Sequence, residues 1–133
     1  MQIRIEKPVE QVVVIHVDGR VDGSNFKELI ASAEQLLTAE MPNLILNLAG
    51  CDFLSSAGLM ALHSIAKIAS GEEVSDPEKG WSAFHAMSSY TSDYKMHFKL
   101  VGLQPAVSKT LDKTGMLDLF EVYDTLEAAL AAF

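Results

Sequence analysis

The stretch NLAGCDFLSSAGL, residues 47–59, joins the end of a strand to the start of a helix. Residues 44–48 are almost entirely apolar, as in a short buried strand. After a polar turn, apolar residues recur three or four positions apart, which is typical of a helix, at Leu59, Leu62, Ala66 and Ala69. Ser55 and Ser56 stand where this helix begins, and serine is a favoured N-cap, so one of the two is the predicted cap.

The same two hydroxyl groups are candidates for phosphorylation. A helix start carries unpaired N–H groups and the positive end of the helix dipole, so a phosphate on Ser55 or Ser56 would be held there. The alternative is that both serines only cap the helix, a role that serine fills in many proteins.

Residues before this stretch predict two strands and a helix. Residues 12–17 form a β-branched run, Ile3 and Ile5 alternate with polar residues, and Pro8 is expected to separate the two strands. The next helix has one apolar face, with Asn25 and Glu28 placed to cap it; the face comprises Phe26, Leu29, Ile30, Ala33, Leu36 and Leu37.

Residues after position 96 predict two further strand and helix units. A strand over 97–101 precedes a helix with Pro105 in its first turn and Gly115 as its stop. A last strand over 119–123 leads into a closing helix, for which Asp124 and Glu127 form a capping pair.

This order of elements predicts one α/β domain over residues 1–133. The order is β-β-α-β-α, an insert, then β-α-β-α, and crossover helices require parallel neighbouring strands. We therefore expect a mixed five-stranded sheet. Three substantial helices and one short helix are too few to cover both faces, so the helices are expected mainly on one face.

Residues 70–96 interrupt the pattern with glycine, proline, acidic residues and many serines. They are interpreted as a long loop or insert. Its aromatic and methionine side chains recur three or four positions apart, which would also fit a short amphipathic helix: Trp81, Phe84, Met87, Tyr90 and Tyr94. Packing onto the domain is favoured over a partner or self-association surface, because long structureless loops are uncommon in compact domains.

Composition excludes several classes of protein. The chain has 10 basic and 18 acidic residues, and its net charge of −8 disfavours binding to nucleic acid or to an anionic membrane. Its one cysteine, Cys51, cannot form an internal disulfide. No apolar run approaches the length of a membrane span or resembles a signal peptide, so a cytoplasmic protein without direct membrane insertion is expected.

Enzymatic activity is not expected either. The four histidines lack the spacing of metal ligands, and His63 lies two helical turns from Ser56, too far for direct proton transfer within one helix. No nucleophile elbow or glycine-rich phosphate loop is present. Cys51 has no cationic sequence neighbour to activate its thiol.

Residues 53–59, FLSSAGL, resemble the motif of the STAS family, the fold of anti-sigma factor antagonists. In that register Ser56 matches the phosphorylated residue, and Ser55 stands where aspartate is common, which makes Ser55 the less favoured acceptor. Residues 19–22, GRVD, look like the family's Gly-x-x-Asp turn after the second strand. Residues 98–107 look like its last inner strand and following helix, whereas residues 70–96 match nothing in the family pattern.

The resemblance implies a non-catalytic, phosphorylation-controlled protein in bacterial transcription regulation. The unphosphorylated form would bind an anti-sigma factor that is itself a serine kinase, and so release a sigma factor. That kinase would phosphorylate Ser56, and a serine phosphatase would reverse the modification. ATP would belong to the kinase, and this chain would need no cofactor or metal. The implied partner-binding residues are Asp22, Gly23, Ser24, Ser55, Ser56, Ala57, Gly58 and Met60.

Several alternatives stay open. Asp22 could receive a basic group of the partner, or it could only cap its own turn. The domain could act as an unphosphorylated scaffold in a signalling assembly or a transporter complex, with residues 70–96 binding another partner. A homodimer is a further alternative, and a small hydrolase or ligand-binding domain is the least supported.

Overall fold

The computed structural model describes residues 1–70 and 97–133. The strands in these ranges are β1 (Gln2–Val9), β2 (Val12–Asp18), β3 (Asn43–Gly50), β4 (Phe98–Val101) and β5 (Glu121–Tyr123). The helices are α1 (Phe26–Leu36), α2 (Ser56–Ala69), α3 (Pro105–Lys113) and α4 (Leu126–Ala131), with a 3₁₀ turn at Leu117–Leu119. Apart from Ser70, the predicted loop over 70–96, with its aromatic and methionine side chains, lies outside the described residues.

The five strands form one mixed sheet in the order β1-β2-β3-β4-β5. β1 pairs with β2 in the antiparallel direction, and β2, β3, β4 and β5 are parallel to one another. This arrangement confirms the predicted fold class. Parallel strands end at the same edge of a sheet, so the loops that follow β2 and β3 lie side by side.

One face of the sheet carries most of the core. Alternate residues of β2 and β3, including Val13, Ile15, Leu44 and Leu46, pack there against the helices α1, α2 and α3. The short helix α4 covers a smaller apolar group on the opposite face through Ala129. Because both faces of β2 are covered, Val12 to Val17 form a continuous buried run.

Several local predictions were wrong. Pro8 does not separate two strands: it lies inside β1, where the pairing register shifts between Glu6 and Val9, and an edge strand tolerates the missing N–H.

α4 is capped by Thr125, whose side chain accepts a hydrogen bond from the N–H of Ala128 at 3.2 Å, so the predicted capping pair is displaced by one residue.

The start of α1 also differs from the prediction. Asn25 occupies the N-cap position, but its side chain makes no capping hydrogen bond to the helix. Its Oδ1 accepts from the Asp22 N–H at 2.9 Å, and its Nδ2 donates to the Arg20 carbonyl at 3.1 Å. Asn25 therefore stabilises the preceding loop rather than the helix end.

The predicted ends of α3 agree with the structure. Pro105 is in the first turn, and Gly115 follows the C-cap with a φ of 75°, in the left-handed region where glycine carries no steric penalty. The last strand is shorter than predicted, since residues 117–119 form the 3₁₀ turn.

Candidate functional site

Two loops meet beyond the ends of β2 and β3 and form the candidate site. Gly19 N–H donates to the Gly50 carbonyl at 2.9 Å, and Val21 N–H donates to the Phe53 carbonyl at 3.0 Å. Ser55 N–H in turn donates to the Val21 carbonyl at 3.0 Å, and Val21 and Leu54 form an isolated parallel bridge. These bonds fix the register between the Gly-x-x-Asp turn and the start of α2.

The Gly-x-x-Asp turn begins in a conformation that favours glycine. Gly19 has a φ of 97°, which allows the chain to leave β2 sharply. At the last residue of the turn, the Asp22 carbonyl accepts from the N–H of Phe26 at 3.0 Å and so leads directly into α1. The turn therefore places residues 20–24 beside the start of α2.

Asp22 is engaged by its own loop. Its Oδ1 accepts hydrogen bonds from the N–H and the hydroxyl of Ser24 at 2.9 and 2.6 Å, and its Oδ2 lies 3.3 Å from Nε of Arg20. The Ser24 hydroxyl and then the Ser24 N–H, by bonding the charged form, hold the pKa of Asp22 below its ordinary value. Asp22 is thus a charged turn residue whose oxygens already have donors.

The two serines of the motif have different surroundings. Ser55 is the N-cap of α2: it is half-buried, and its Oγ accepts from the N–H of Gly58 at 3.3 Å. Ser56 is the first helical residue and is exposed, and within the part of the chain that the structure describes its hydroxyl has no hydrogen-bond partner. The capping role falls to Ser55, which leaves the Ser56 hydroxyl accessible.

Gly58 lies against the chain itself. A Cβ added at this position would be 3.1 Å from the Val21 carbonyl oxygen and 3.1 Å from Cδ2 of Leu54. Packing within this chain therefore requires a small residue at position 58, because α2 passes over the bridge between Val21 and Leu54.

The implied partner-binding residues do not share one degree of exposure. Gly23, Ser24 and Ser56 are exposed, Asp22, Ser55 and Ala57 are half-buried, and Gly58 and Met60 are buried. All belong to, or flank, the two joined loops. That a partner contacts them stays a prediction.

Sequence reasoning missed two exposed side chains at the same place. Phe53 is 41% exposed, and the Arg20 guanidinium carbon lies 4.9 Å from the centre of its ring. Both residues belong to the motifs quoted above. Because they lie far apart in sequence, their contact could not be predicted from a local pattern. A large aromatic residue two positions before the serine pair was the available signal.

Other reactive groups offer little chemistry at the site. Burial raises the pKa of the Cys51 thiol, which disfavours the nucleophilic thiolate. Burial also lowers the pKa of His63 to about 4. In residues 1–70 and 97–133, no three His, Cys, Asp or Glu side chains come together as a metal ion would need.

A cavity of about 430 Å³ lies at the other end of α1 and α2, between residues such as Leu37, Pro42 and Ile68. The length of α2 places it about 20 Å from Ser56, so it is not part of the candidate site. Within the described ranges, no helix is long and apolar enough to cross a membrane.

Solved structures share this fold. An anti-sigma factor antagonist from Mycobacterium paratuberculosis superposes with a TM-score of 0.69 at 22% identity, covering 98% of this chain and 92% of that one. The unphosphorylated form of the anti-sigma factor antagonist SpoIIAA gives a TM-score of 0.62 at 15% identity, with coverage of 97% and 93%. Phosphorylated SpoIIAA from Bacillus gives 0.57 at 15% identity, with coverage of 98% and 97%.

At these identities the likeness establishes the fold alone. No curated protein matches the sequence. The model of the STAS domain matches residues 3–74, which is more than half of the chain and includes both joined loops. The chain therefore belongs to the STAS domain family.

Proposed function

We propose that this protein is a non-catalytic anti-sigma factor antagonist whose binding to its partner is controlled by phosphorylation of Ser56. The observation that carries the proposal is the difference between the two serines. Ser55 is engaged in capping α2, whereas Ser56 presents an exposed hydroxyl at the same helix start. The motif register favours Ser56 as well.

A phosphate on Ser56 would be compatible with the fold. It adds about −1.5 to −2 charges at pH 7, and the unpaired N–H groups and dipole at the start of α2 favour negative charge there. The domain would stay folded, while the new charge and volume would stand on the surface that a partner must approach. Phosphorylation would thus release the partner without unfolding the antagonist.

The partner in this proposal is an anti-sigma factor that is also a serine kinase. The unphosphorylated antagonist binds it and frees a sigma factor, and a serine phosphatase restores the binding form. The cycle would operate in the cytoplasm, where sigma factors act. The names of the structural neighbours support this role, and SpoIIAA has been solved in both unphosphorylated and phosphorylated forms.

Mass spectrometry of the protein purified from its own host tests the modification. We expect a phosphate on the peptide containing Ser55 and Ser56, lost in Ser56→Ala and retained in Ser55→Ala. Loss in Ser55→Ala alone would reassign the acceptor.

Capture from a lysate of the same host tests partner control. Immobilised Ser56→Ala should retain the anti-sigma kinase, and Ser56→Glu should not. Absence of any phosphate under growth and stress conditions, together with the same retained proteins for both variants, would contradict the switch and favour a constitutive scaffold.

A further inference from the structure

Arg20 and Phe53 form an exposed pair at the rim of the candidate site. The side chain of Arg20 is 62% exposed and Phe53 is 41% exposed, with 4.9 Å between the guanidinium carbon and the ring centre. Arginine and aromatic residues are enriched among the few residues that dominate protein interfaces.

The backbone holds this pair at a fixed place relative to Ser56. Val21 N–H donates to the Phe53 carbonyl, and the Ser55 N–H donates to the Val21 carbonyl, both at 3.0 Å. Arg20 and Phe53 are therefore next to this short ladder, and Ser56 directly follows it. A partner that covers the start of α2 would meet the pair as well.

The hydrogen bonds of the turn determine which charged group points outward. Oδ1 of Asp22 accepts both hydrogen bonds from Ser24, and Oδ2 faces Nε of Arg20. In the described part of the chain, the two terminal nitrogens of Arg20 donate no hydrogen bond to a protein acceptor. A guanidinium with both terminal nitrogens available matches a carboxylate, which it binds through two parallel hydrogen bonds.

We propose that Arg20 and Phe53 form a recognition point for a carboxylate of the protein partner that stands beside an apolar side chain. This inference rests on the proposed function and specifies the chemistry of its partner. The carboxylate would bind the outer edge of Arg20, and the apolar group would pack on Phe53. An ordered ring beneath the guanidinium reduces the entropy lost when the contact forms.

The charge of the chain favours a protein carboxylate over a polyanion as the group that binds Arg20. The net charge of −8 disfavours a polyanion such as a nucleic acid or an anionic membrane more than a single carboxylate, because the repulsion grows with the number of negative charges that approach. A phosphate on Ser56 would repel that carboxylate, so the recognition point and the proposed switch would act in the same direction.

The test measures the affinity of the purified partner obtained by capture on Ser56→Ala. Arg20→Glu and Phe53→Ala should each weaken binding about 30-fold, equivalent to about 2 kcal/mol. Arg20→Lys should be intermediate, because lysine keeps the charge but not the paired donors. Lys7→Glu and Val9→Ala are matched controls beside the start of β2, about 20 Å from its other end, and should bind as the unchanged protein does.

Four outcomes of this experiment test the recognition point and the proposed function. Loss of affinity in Arg20→Glu, restored by a partner variant with lysine in place of one acidic residue, would support the proposal. Unchanged affinity of Arg20→Glu for a partner that still discriminates against Ser56→Glu would overturn this inference and leave the proposed function intact. Wild-type affinity of Arg20→Lys would refute the paired hydrogen bonds. Failure to obtain any partner sensitive to residue 56 would overturn both proposals.

Discussion

Replacing Ser55 by alanine should destabilise the protein, whereas the same change at Ser56 should not. Loss of a serine N-cap costs about 0.5–2 kcal/mol. The bond from Gly58 N–H to the Ser55 hydroxyl is 3.3 Å long, and Ser55 is only half-buried. Both observations place the cost in the lower half of the range, at about 0.5–1 kcal/mol.

The corresponding change in melting temperature can be worked from chain length. Unfolding entropy is about 2.1 cal/mol/K per residue, which for 133 residues converts 1 kcal/mol into about 3.6 °C. Ser55→Ala should therefore melt about 2–4 °C lower. Ser56→Ala removes a hydroxyl without a hydrogen-bond partner in the described structure and introduces a better helix former, so its free energy of unfolding should change by less than about 0.5 kcal/mol.

Thermal unfolding followed by circular dichroism, with urea denaturation as a second measurement, distinguishes the two variants. Equal slopes in urea would show that both unfold from comparably compact states. If Ser56→Ala were destabilised as much as Ser55→Ala, or more, the separation of a capping serine from an accessible serine would be refuted.

Three further predictions concern the core and the turns. The pKa of His63 is about 4 in the folded protein and about 6.5 when unfolded, so the unfolded chain binds more protons between these values. The free energy of unfolding should fall by about 3 kcal/mol as pH drops from about 6.5 to 4, and urea denaturation of His63→Leu should lack this part of the slope. Gly115→Ala, at a φ of 75° with open space around the new Cβ, should cost about 1 kcal/mol. Gly102→Ala, at a φ of 70° with the new Cβ 3.0 Å from a neighbouring side-chain carbon, should cost about 1 kcal/mol more, and equal melting temperatures would contradict this. Glu121→Gln should cost about 1–2 kcal/mol by urea denaturation, because the ammonium group of buried Lys99 loses its carboxylate. Lys99→Met should cost less, since the partly exposed carboxylate returns to water, and the reverse order would contradict the argument.

Most of the fold could be predicted because its signals are local. Apolar spacing within single segments predicted the strands and helices of the described ranges in their correct order. A mixed sheet followed because crossover helices require parallel strands. One error arose where neighbouring residues compete for one role, since Thr125 rather than Asp124 caps α4. Such choices depend on how the chain enters the helix, which a sequence pattern does not specify.

The candidate site, too, could be predicted from the sequence only in part. Its serine pair was predicted from residues adjacent in sequence, since a helix cap is a local interaction. The assignment of the cap to Ser55 needed backbone geometry. The contact between Arg20 and Phe53 needed the parallel alignment of β2 with β3, which joins loops that lie far apart in sequence.

The amino-acid sequence by itself determined the order of the elements, the mixed sheet and the motif at the start of α2. Apolar periodicity and turn residues act over a few positions, and each segment carries its own signal. Only the tertiary structure decided which groups of the two loops are occupied and which are accessible. Strand register brings Val21 against Leu54, and that register results from packing across the whole sheet rather than from any one segment.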